Sequence, residues 1–410
     1  MFSIKRKIIS CLKKLEDPKH PLLGPNIKIL YLFGIWQTPR TKIRNRLYNI
    51  VHVSTFFYVL SQFIDLYKQL NDFNKALNNL SLTSIGLICS VKCNAYILCQ
   101  PQWQKLASNI SAEELTQMKK RDVKVIKKLE EYKLYARVVS YMYWVLVLLT
   151  IITLIGTPLL KLLISSTFRE NIQNGLEEYP QIMSCWFPFD YMKMPGYAYS
   201  CVIQIGMALQ GSGVLAGHDT NAITIMTFLK GQMQILREKC VKIFDTDENE
   251  GPNEFLMKMK ECHRHHNFLL EQSNLFNSLL SPVMFVYILI CSMAICCSVV
   301  QFSSKEATAE QKLWAVQYTI AQIAQLFLFC WHGNEVFVES KDVDLGIYSS
   351  DWWKADACLR RHVVLLAGKL NRPILYSAGP FSDLTVPTFV SIMKGSYSFF
   401  TLFSQMQEDN

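Results

Sequence analysis

Apolar residues gather along this chain into seven stretches, each close to the roughly 20 residues that a helix needs to cross a hydrocarbon core. Bounded by charge, glycine or proline, they extend over residues 47–66, 77–98, 138–160, 197–217, 279–300, 313–331 and 384–403. The pattern predicts an all-α integral membrane protein with seven transmembrane helices. Lys92 interrupts the second stretch. An ionisable residue at that depth faces protein or water, or more commonly snorkels toward the nearby inner face.

The polar stretches between the spans are also patterned. Ser111-Ala-Glu-Glu predicts the capped start of a charged helix running through Lys133, with early glutamates suited to the helix dipole. Ile225, Phe228, Leu229, Gln232, Leu236 and Cys240 carry the fourth span onward at helical spacing until Asp245-Thr-Asp-Glu-Asn-Glu-Gly-Pro breaks it. Another amphipathic helix, from Glu254 to Ser278, leads into the fifth span. Helices that outrun the membrane in this way predict a bundle beside it, where subunits can assemble. At the amino terminus, Ile4, Ile8, Leu12 and Leu15 recur among Lys5, Arg6, Lys7, Lys13 and Lys14, as in a helix on anionic membrane lipid; a solvated basic tail is the alternative. That segment has no apolar run long enough for a cleaved secretory signal, and none is expected.

Charge sets the predicted orientation. Lysine and arginine in the stretch before the first span and in the second, fourth and sixth connections number 33, against 7 in the other connections and tail. Because positive residues stay cytosolic, the asymmetry predicts a cytosolic amino terminus and an extracellular carboxyl terminus. This is the reverse of a G-protein-coupled receptor, and that class's D-R-Y triplet after the third span and N-P-x-x-Y motif in the seventh are missing too. The implied organisation is a cytosolic segment over residues 1–46, four spans with loops over 47–217, and a cytosolic helical extension over 218–278. Spans five and six follow over 279–332, a cytosolic anchor segment over 333–383, and the last span with a short extracellular tail over 384–410.

Half the residues are apolar, the formal net charge is +9 and there are 13 cysteines. Cys89, Cys93, Cys201, Cys291, Cys296, Cys297 and Cys330 sit in apolar runs, where a free cysteine acts as a small hydrophobe. Cys185 stands alone in the expected extracellular segments, so no disulfide framework is implied. Glu261-Cys262-His263-Arg264-His265-His266 puts His263 and His266 one turn apart, but without H-E-x-x-H a solvated or subunit-facing surface is the better reading than a metal site. The adjacent pairs Glu113 with Glu114 and Glu177 with Glu178 diverge on a helix. No nucleophile elbow or phosphate loop occurs, and Gly211-Ser-Gly lies inside the fourth span, where small residues admit close packing. Basic charge is not interleaved with stacking aromatics, so nucleic-acid binding has no support. Neither enzyme activity nor a cofactor is expected.

What remains is recognition within the membrane. Thr83, Gly86, Thr150, Thr153, Thr157, Tyr199, Gln204, Gln317 and Tyr318 lie among apolar neighbours in the outer halves of spans two, three, four and six. A few polar groups in an apolar wall suit a small hydrophobic volatile or lipid-like ligand; interhelical hydrogen bonding is the alternative role of each.

The carboxyl-terminal quarter carries a more specific signal. Phe327-Leu-Phe-Cys-Trp-His-Gly-Asn-Glu is followed by Ser340, Ile347-Tyr-Ser-Ser-Asp-Trp-Trp, Arg372-Pro, Ala378-Gly and Lys394-Gly-Ser-Tyr-Ser-Phe-Phe. In these runs the chain resembles insect odorant receptors. His20-Pro-Leu-Leu-Gly-Pro with Gly34-Ile-Trp is similar to receptors of moths and butterflies. Gly346 and Gly395 stand where many members carry alanine. The resemblance implies a tetrameric non-selective cation channel in the plasma membrane of olfactory dendrites, combining an odorant-binding receptor with the shared co-receptor Orco. Lacking the co-receptor's long insertion between spans four and five, this chain resembles the variable receptor. Cys330, Asn334, Glu335, Tyr348, Trp352 and Trp353 would belong to the subunit anchor. Leu402 and Met406 would form the pore constriction with Gln405 beside it, in contact otherwise with lipid or a neighbouring helix. Small volatiles and membrane lipids are the other implied partners. A gustatory-type receptor would carry T-Y-x-x-x-x-Q where this chain has Ser396-Tyr-Ser-Phe-Phe-Thr-Leu; a transporter or a metabotropic receptor is the rival of a different class.

The sequons Asn79-Leu-Ser and Asn109-Ile-Ser test the orientation. Asn109 is expected to remain unglycosylated in insect cells, and a glycosidase-sensitive mass shift lost in Asn109→Gln would reverse the assigned orientation.

Overall fold

The structure, a computed structural model, describes residues 15–245, 252–303 and 309–408. The predicted amphipathic stretch at the amino terminus lies outside them apart from Leu15. A short helix, α1 (Gly24–Leu32), precedes α2 (Lys42–Lys68), α3 (Phe73–Leu98) and α4 (Gln100–Lys119). Then come α5 (Val123–Ile164), α6 (Ser166–Gln173), α7 (Gly196–Val241), α8 (Pro252–Ser303) and α9 (Ala309–Lys341). The chain ends with α10 (Leu345–Tyr348), α11 (Ala357–Leu370) and α12 (Val386–Glu408). A minimal hairpin, β1 (Ser377–Ala378) with β2 (Ser382–Asp383), precedes α12.

Six helices, α2, α3, α5, α7, α8 and α9, are long and apolar enough to cross a membrane, and α12, with 23 residues, is the seventh. Each of the first six contains one stretch expected from the hydropathy pattern, and α12 takes up the last, 384–403, from its third residue onward. Three run far beyond a bilayer: α5, α7 and α8 have 42, 46 and 52 residues. At ~1.5 Å per residue they reach roughly 60 to 80 Å, against a hydrocarbon core of ~30 Å. Their excess, with α4, α10 and α11, forms a helical layer at one end, here called basal. The segment between α6 and α7 covers the other, apical, end.

One expected helix is divided in two. Ser111 caps nothing: α4 begins eleven residues earlier, with Pro101 in its first turn, and the Ser111 hydroxyl lies 2.8 Å from His20 Nδ1. The chain then breaks at Arg121, whose φ of 55° is left-handed, and Asp122 caps α5 by accepting from the amides of Lys124 and Val125.

The amino-terminal segment is part of the core. Asn26 donates to the Thr220 carbonyl at 3.2 Å and to Thr224 Oγ1 at 2.7 Å on α7. Gly213 and Gly217 make this approach possible, since a Cβ on Gly213 would lie 2.2 Å from the Phe33 ring and one on Gly217 3.0 Å from Leu30. The close approach expected of Gly211-Ser-Gly is thus made to the segment following α1. Asn79, by contrast, is fully buried: it donates to Asp65 Oδ2 at 3.0 Å and accepts from Thr83 at 2.8 Å, so its sequon is closed to modification.

A polar network ties the basal layer together. Arg137 on α5 donates to both Glu16 oxygens at 2.8 and 2.9 Å and to the Pro21 carbonyl at 2.8 Å. Glu114 on α4 accepts from the Leu22 amide at 3.3 Å and the Tyr132 hydroxyl at 2.9 Å. Gln117 and Gln232 exchange carboxamide bonds at 2.7 and 2.9 Å. His265 Nε2 lies 3.0 Å from Gln232. His266 is buried, whereas His263 bonds Asn267, so the two histidines of the tempting metal motif face different surroundings.

Burial pushes the Glu114 carboxyl up from 4.5 to about 7, opposed by the Tyr132 and Leu22 hydrogen bonds and by Lys133 and Arg137. The folded protein therefore holds a proton that the unfolded chain has released between these values. Stability conferred by Glu114 is highest below about pH 4.5 and falls as pH rises toward about 7, by about 1.4 kcal/mol per unit at most. Glu114→Gln is expected to remove this component of the slope, which thermal unfolding midpoints of both proteins across that range will measure.

Candidate functional site

In the apical half, α2, α3, α5, α7 and α9 line a cavity of about 110 Å³. Its wall is mainly apolar, with Val59, Ile85, Leu146, Ile151, Leu154 and Ala208 among its residues. Polar atoms come from Thr55, Tyr58, Gln62, Thr150, Tyr318 and Gln322. A concave apolar space with a few convergent polar groups is the general form of a small-molecule site.

The roof is the segment between α6 and α7. Gln204, fully buried on α7, accepts from the amides of Ile182 and Met183 at 2.9 and 3.2 Å and donates to Cys185 Sγ at 3.2 Å. The Trp186 amide bonds the Ser61 carbonyl on α2 at 3.3 Å. Ile182, Met183, Cys185 and Phe187 consequently form a small core with Tyr58 and Ala208, and Met183 itself lines the cavity. Cys185 is a free thiol in this core.

The floor is an ion pair. Lys92 Nζ on α3 lies 2.6 Å from Asp219 Oδ1 on α7, both side chains being fully buried. Asp219 also accepts from Tyr143 on α5 at 2.7 Å and from Gln325 on α9, while His218 lies 3.1 Å away. The ammonium sits 4.7 Å over the Tyr287 ring on α8 and 5.5 Å from that of Phe329 on α9. Lys92 therefore does not snorkel: Asp219 lies level with it inside the bundle, and pairing is the alternative to reaching water. Tyr143 and Gln325 join the network to the cavity, whose wall they share with Cys89.

Of the nine residues predicted to contact ligand, Gly86, Thr150 and Tyr318 line this cavity. Thr83 is buried beside it and donates to Asn79, and Gln204 holds the roof. Thr157 and Tyr199 are exposed on the outside of the bundle and Thr153 is half-buried; the two threonines return their hydroxyls to carbonyls of their own helix. Gln317 is half-buried, one turn from the wall. Sequence reasoning passed over α2, which supplies Thr55, Tyr58 and Gln62, as well as the roof residue Met183. Gln62, a carboxamide inside an apolar span, was the available signal; nothing local marks Met183.

The carboxyl-terminal residues occupy two settings. Cys330 is fully buried, and Glu335 pairs with Lys230 of α7. Asn334 and Trp352 are half-buried, while Tyr348 and Trp353 are exposed on the basal layer. Gly346 fits under the Arg237 carbonyl, which a Cβ would approach to 2.5 Å. The backbone of α12 continues through Leu402, Gln405 and Met406, whose side chains lie outside the described residues. Before them, Ser391, Lys394 and Ser398 share one exposed face of α12.

Seven apolar helices, a roofed cavity and a basal helical layer define a polytopic membrane receptor fold. The family model described as 7tm Odorant receptor matches residues 72–397, so the chain belongs to the insect odorant receptor family. It is similar to Odorant receptor Or2 of Anopheles gambiae, 20% identical over 93% of this chain and 97% of that one. Odorant receptor 46a, isoform B, of Drosophila melanogaster is 25% identical over 46% of this chain and 50% of its own length. Among solved structures, the insect olfactory receptor OR5 of Machilis hrabei in complex with eugenol superposes with a TM-score of 0.82 at 16% identity. That match covers 95% of this chain and 100% of the receptor's.

Removing one partner of a buried pair strands the other charge, at about 3–5 kcal/mol. Lys92→Met and Asp219→Asn are each expected to lower the thermal midpoint of the detergent-solubilised receptor sharply. The double variant Lys92→Met/Asp219→Leu should recover only part of the loss, because Tyr143 and Gln325 lose their acceptor. Full recovery would show that these two bonds add nothing.

Proposed function

We propose that this chain is the odorant-binding subunit of a ligand-gated, non-selective cation channel formed with the Orco co-receptor in the plasma membrane of olfactory dendrites. The observation that carries the proposal is the roofed apolar cavity between α2, α3, α5, α7 and α9, in a chain of the odorant receptor family. A small hydrophobic volatile fits such a wall, and the eugenol bound by the receptor of matching fold is a small molecule of this general kind.

The charge asymmetry supports a cytosolic basal layer, an extracellular roof and an extracellular carboxyl terminus. The exposed Tyr348 and Trp353 would then meet neighbouring subunits on the cytosolic side. The exposed polar stripe of Ser391, Lys394 and Ser398 suits a water-filled path better than lipid. Leu402 and Met406 would close that path as an apolar ring, with Gln405 accommodating hydrated cations when it dilates. Gating is a population shift: ligand binds the open arrangement of the cavity helices more tightly than the closed one, and α9 lines the cavity and packs against α12.

Whole-cell recording during application of volatiles tests the proposal. A rapid cation current is expected only in cells that express this chain together with the co-receptor. A current requiring G-protein signalling, or surface-expressed receptor silent to a broad volatile panel, would count against it. Gly86→Val should raise the half-maximal concentration about ten-fold or more, since even a Cβ there would stand 2.8 Å from Gln62 Oε1. Unchanged sensitivity in that variant would move the ligand elsewhere.

A further inference from the structure

We infer that the cavity selects volatiles that donate a hydrogen bond, short-chain or single-ring alcohols and phenols, over ethers, esters and aldehydes of the same size. The inference rests on the proposed odorant-binding role and adds the chemical class of its ligand.

Two buried acceptors in the wall have no partner. Gln62 is fully buried on α2 and Gln322 is 6% exposed on α9; both line the cavity, and Oε1 of each is buried without a hydrogen bond. An orphaned buried acceptor is costly, so each such atom marks a place where a donor is wanted. The orientation of Gln322 follows from its neighbours. Ser84 donates to the Ser81 carbonyl at 2.7 Å, and the Tyr318 hydroxyl lies 3.1 Å from both that carbonyl and Ser84 Oγ. With its proton directed there, the Tyr318 oxygen accepts from Gln322 Nε2 at 3.0 Å. The Gln322 carbonyl oxygen is the atom left over.

The hydroxyl donors around the same space are already engaged. Thr55 donates to the Val51 carbonyl at 3.0 Å, Thr150 to Leu146 at 2.9 Å and Ser212 to Leu209 at 2.8 Å. Tyr143 and Gln325 donate to Asp219, and Tyr58 and Gln62 Nε2 reach the Met183 sulfur at 3.4 and 3.7 Å. The hydroxyls and the two orphaned carboxamide oxygens therefore offer a ligand acceptors. An alcohol proton satisfies one of them, whereas an ether, ester or aldehyde oxygen adds another acceptor. A space of about 110 Å³ favours small members of the class.

The test uses the full chain co-expressed with the co-receptor and purified as the complex. Ligand-induced shifts of the thermal midpoint are compared for hexanol, its isomer methyl pentyl ether, hexanal and heptane, and for phenol against anisole. The expected result is stabilisation by hexanol and phenol at concentrations about ten-fold or more below those of their partners, equivalent to ~1.4 kcal/mol. Gln62→Met or Gln322→Met, isosteric and apolar, should shrink the ratio between the hexanol and methyl pentyl ether concentrations needed within the same variant. The wild-type series decides even where a variant fails to fold. An ether or hexanal binding as well as the alcohol, for instance through the Trp314 indole, overturns the inference and leaves the odorant-binding role intact. A folded complex stabilised by none of the compounds overturns both.

Discussion

The Lys92–Asp219 pair is the constraint around which the bundle is arranged. Lipid tails are as apolar as leucine, so burying aliphatic surface does little to choose which face of one membrane helix meets another. A buried ion pair is more exacting, because its charges are tolerable only at contact distance and with their remaining valences filled. Asp219 takes bonds from α3, α5 and α9, and Lys92 lies against rings from α8 and α9. Five helices are thereby fixed in rotation and depth at one level. Above that level α3, α5, α7 and α9 part to leave, with α2, a cavity; below it α5, α7 and α8 continue into a packed layer of glutamines, histidines and aromatics.

The cavity and the last helix belong to different parts of the bundle. α12 packs on α8 and α9, while the cavity is lined by α2, α3, α5, α7 and α9. Helix α9 is common to both, and three of its residues in succession along one face serve distinct ends: Tyr318 and Gln322 the wall, Gln325 the floor. A rotation of α9 that changed the wall would strain the bond to Asp219 at the same time.

Much of this architecture was legible in the sequence because membrane spans announce themselves by length and by the charges that end them. The continuation of the fourth and fifth spans into long helices was legible from spacing alone. The division of α4 from α5 was not, since Arg121 adopts a backbone conformation no pattern requires of arginine. Nor was the partner of Lys92, because Asp219 stands 127 residues away, just beyond the apolar run, and reads as part of a wet connection. The site was legible in kind more than in detail. Threonines in apolar spans suggest a lining, yet Thr153 and Thr157 satisfy themselves on their own helix, whereas Gln62 and Met183 are brought to the cavity by tertiary packing.

The burial of the amino-terminal segment bears on the order in which the chain is assembled. Its Asn26 bonds residues 194 and 198 positions later, and its Glu16 meets Arg137 only after α5 has emerged. The segment, made before the spans it packs on, thus has no place to dock until four spans have been synthesised and inserted. Until then its apolar residues stay uncovered at the membrane surface, a window in which quality-control factors can recognise an incomplete receptor.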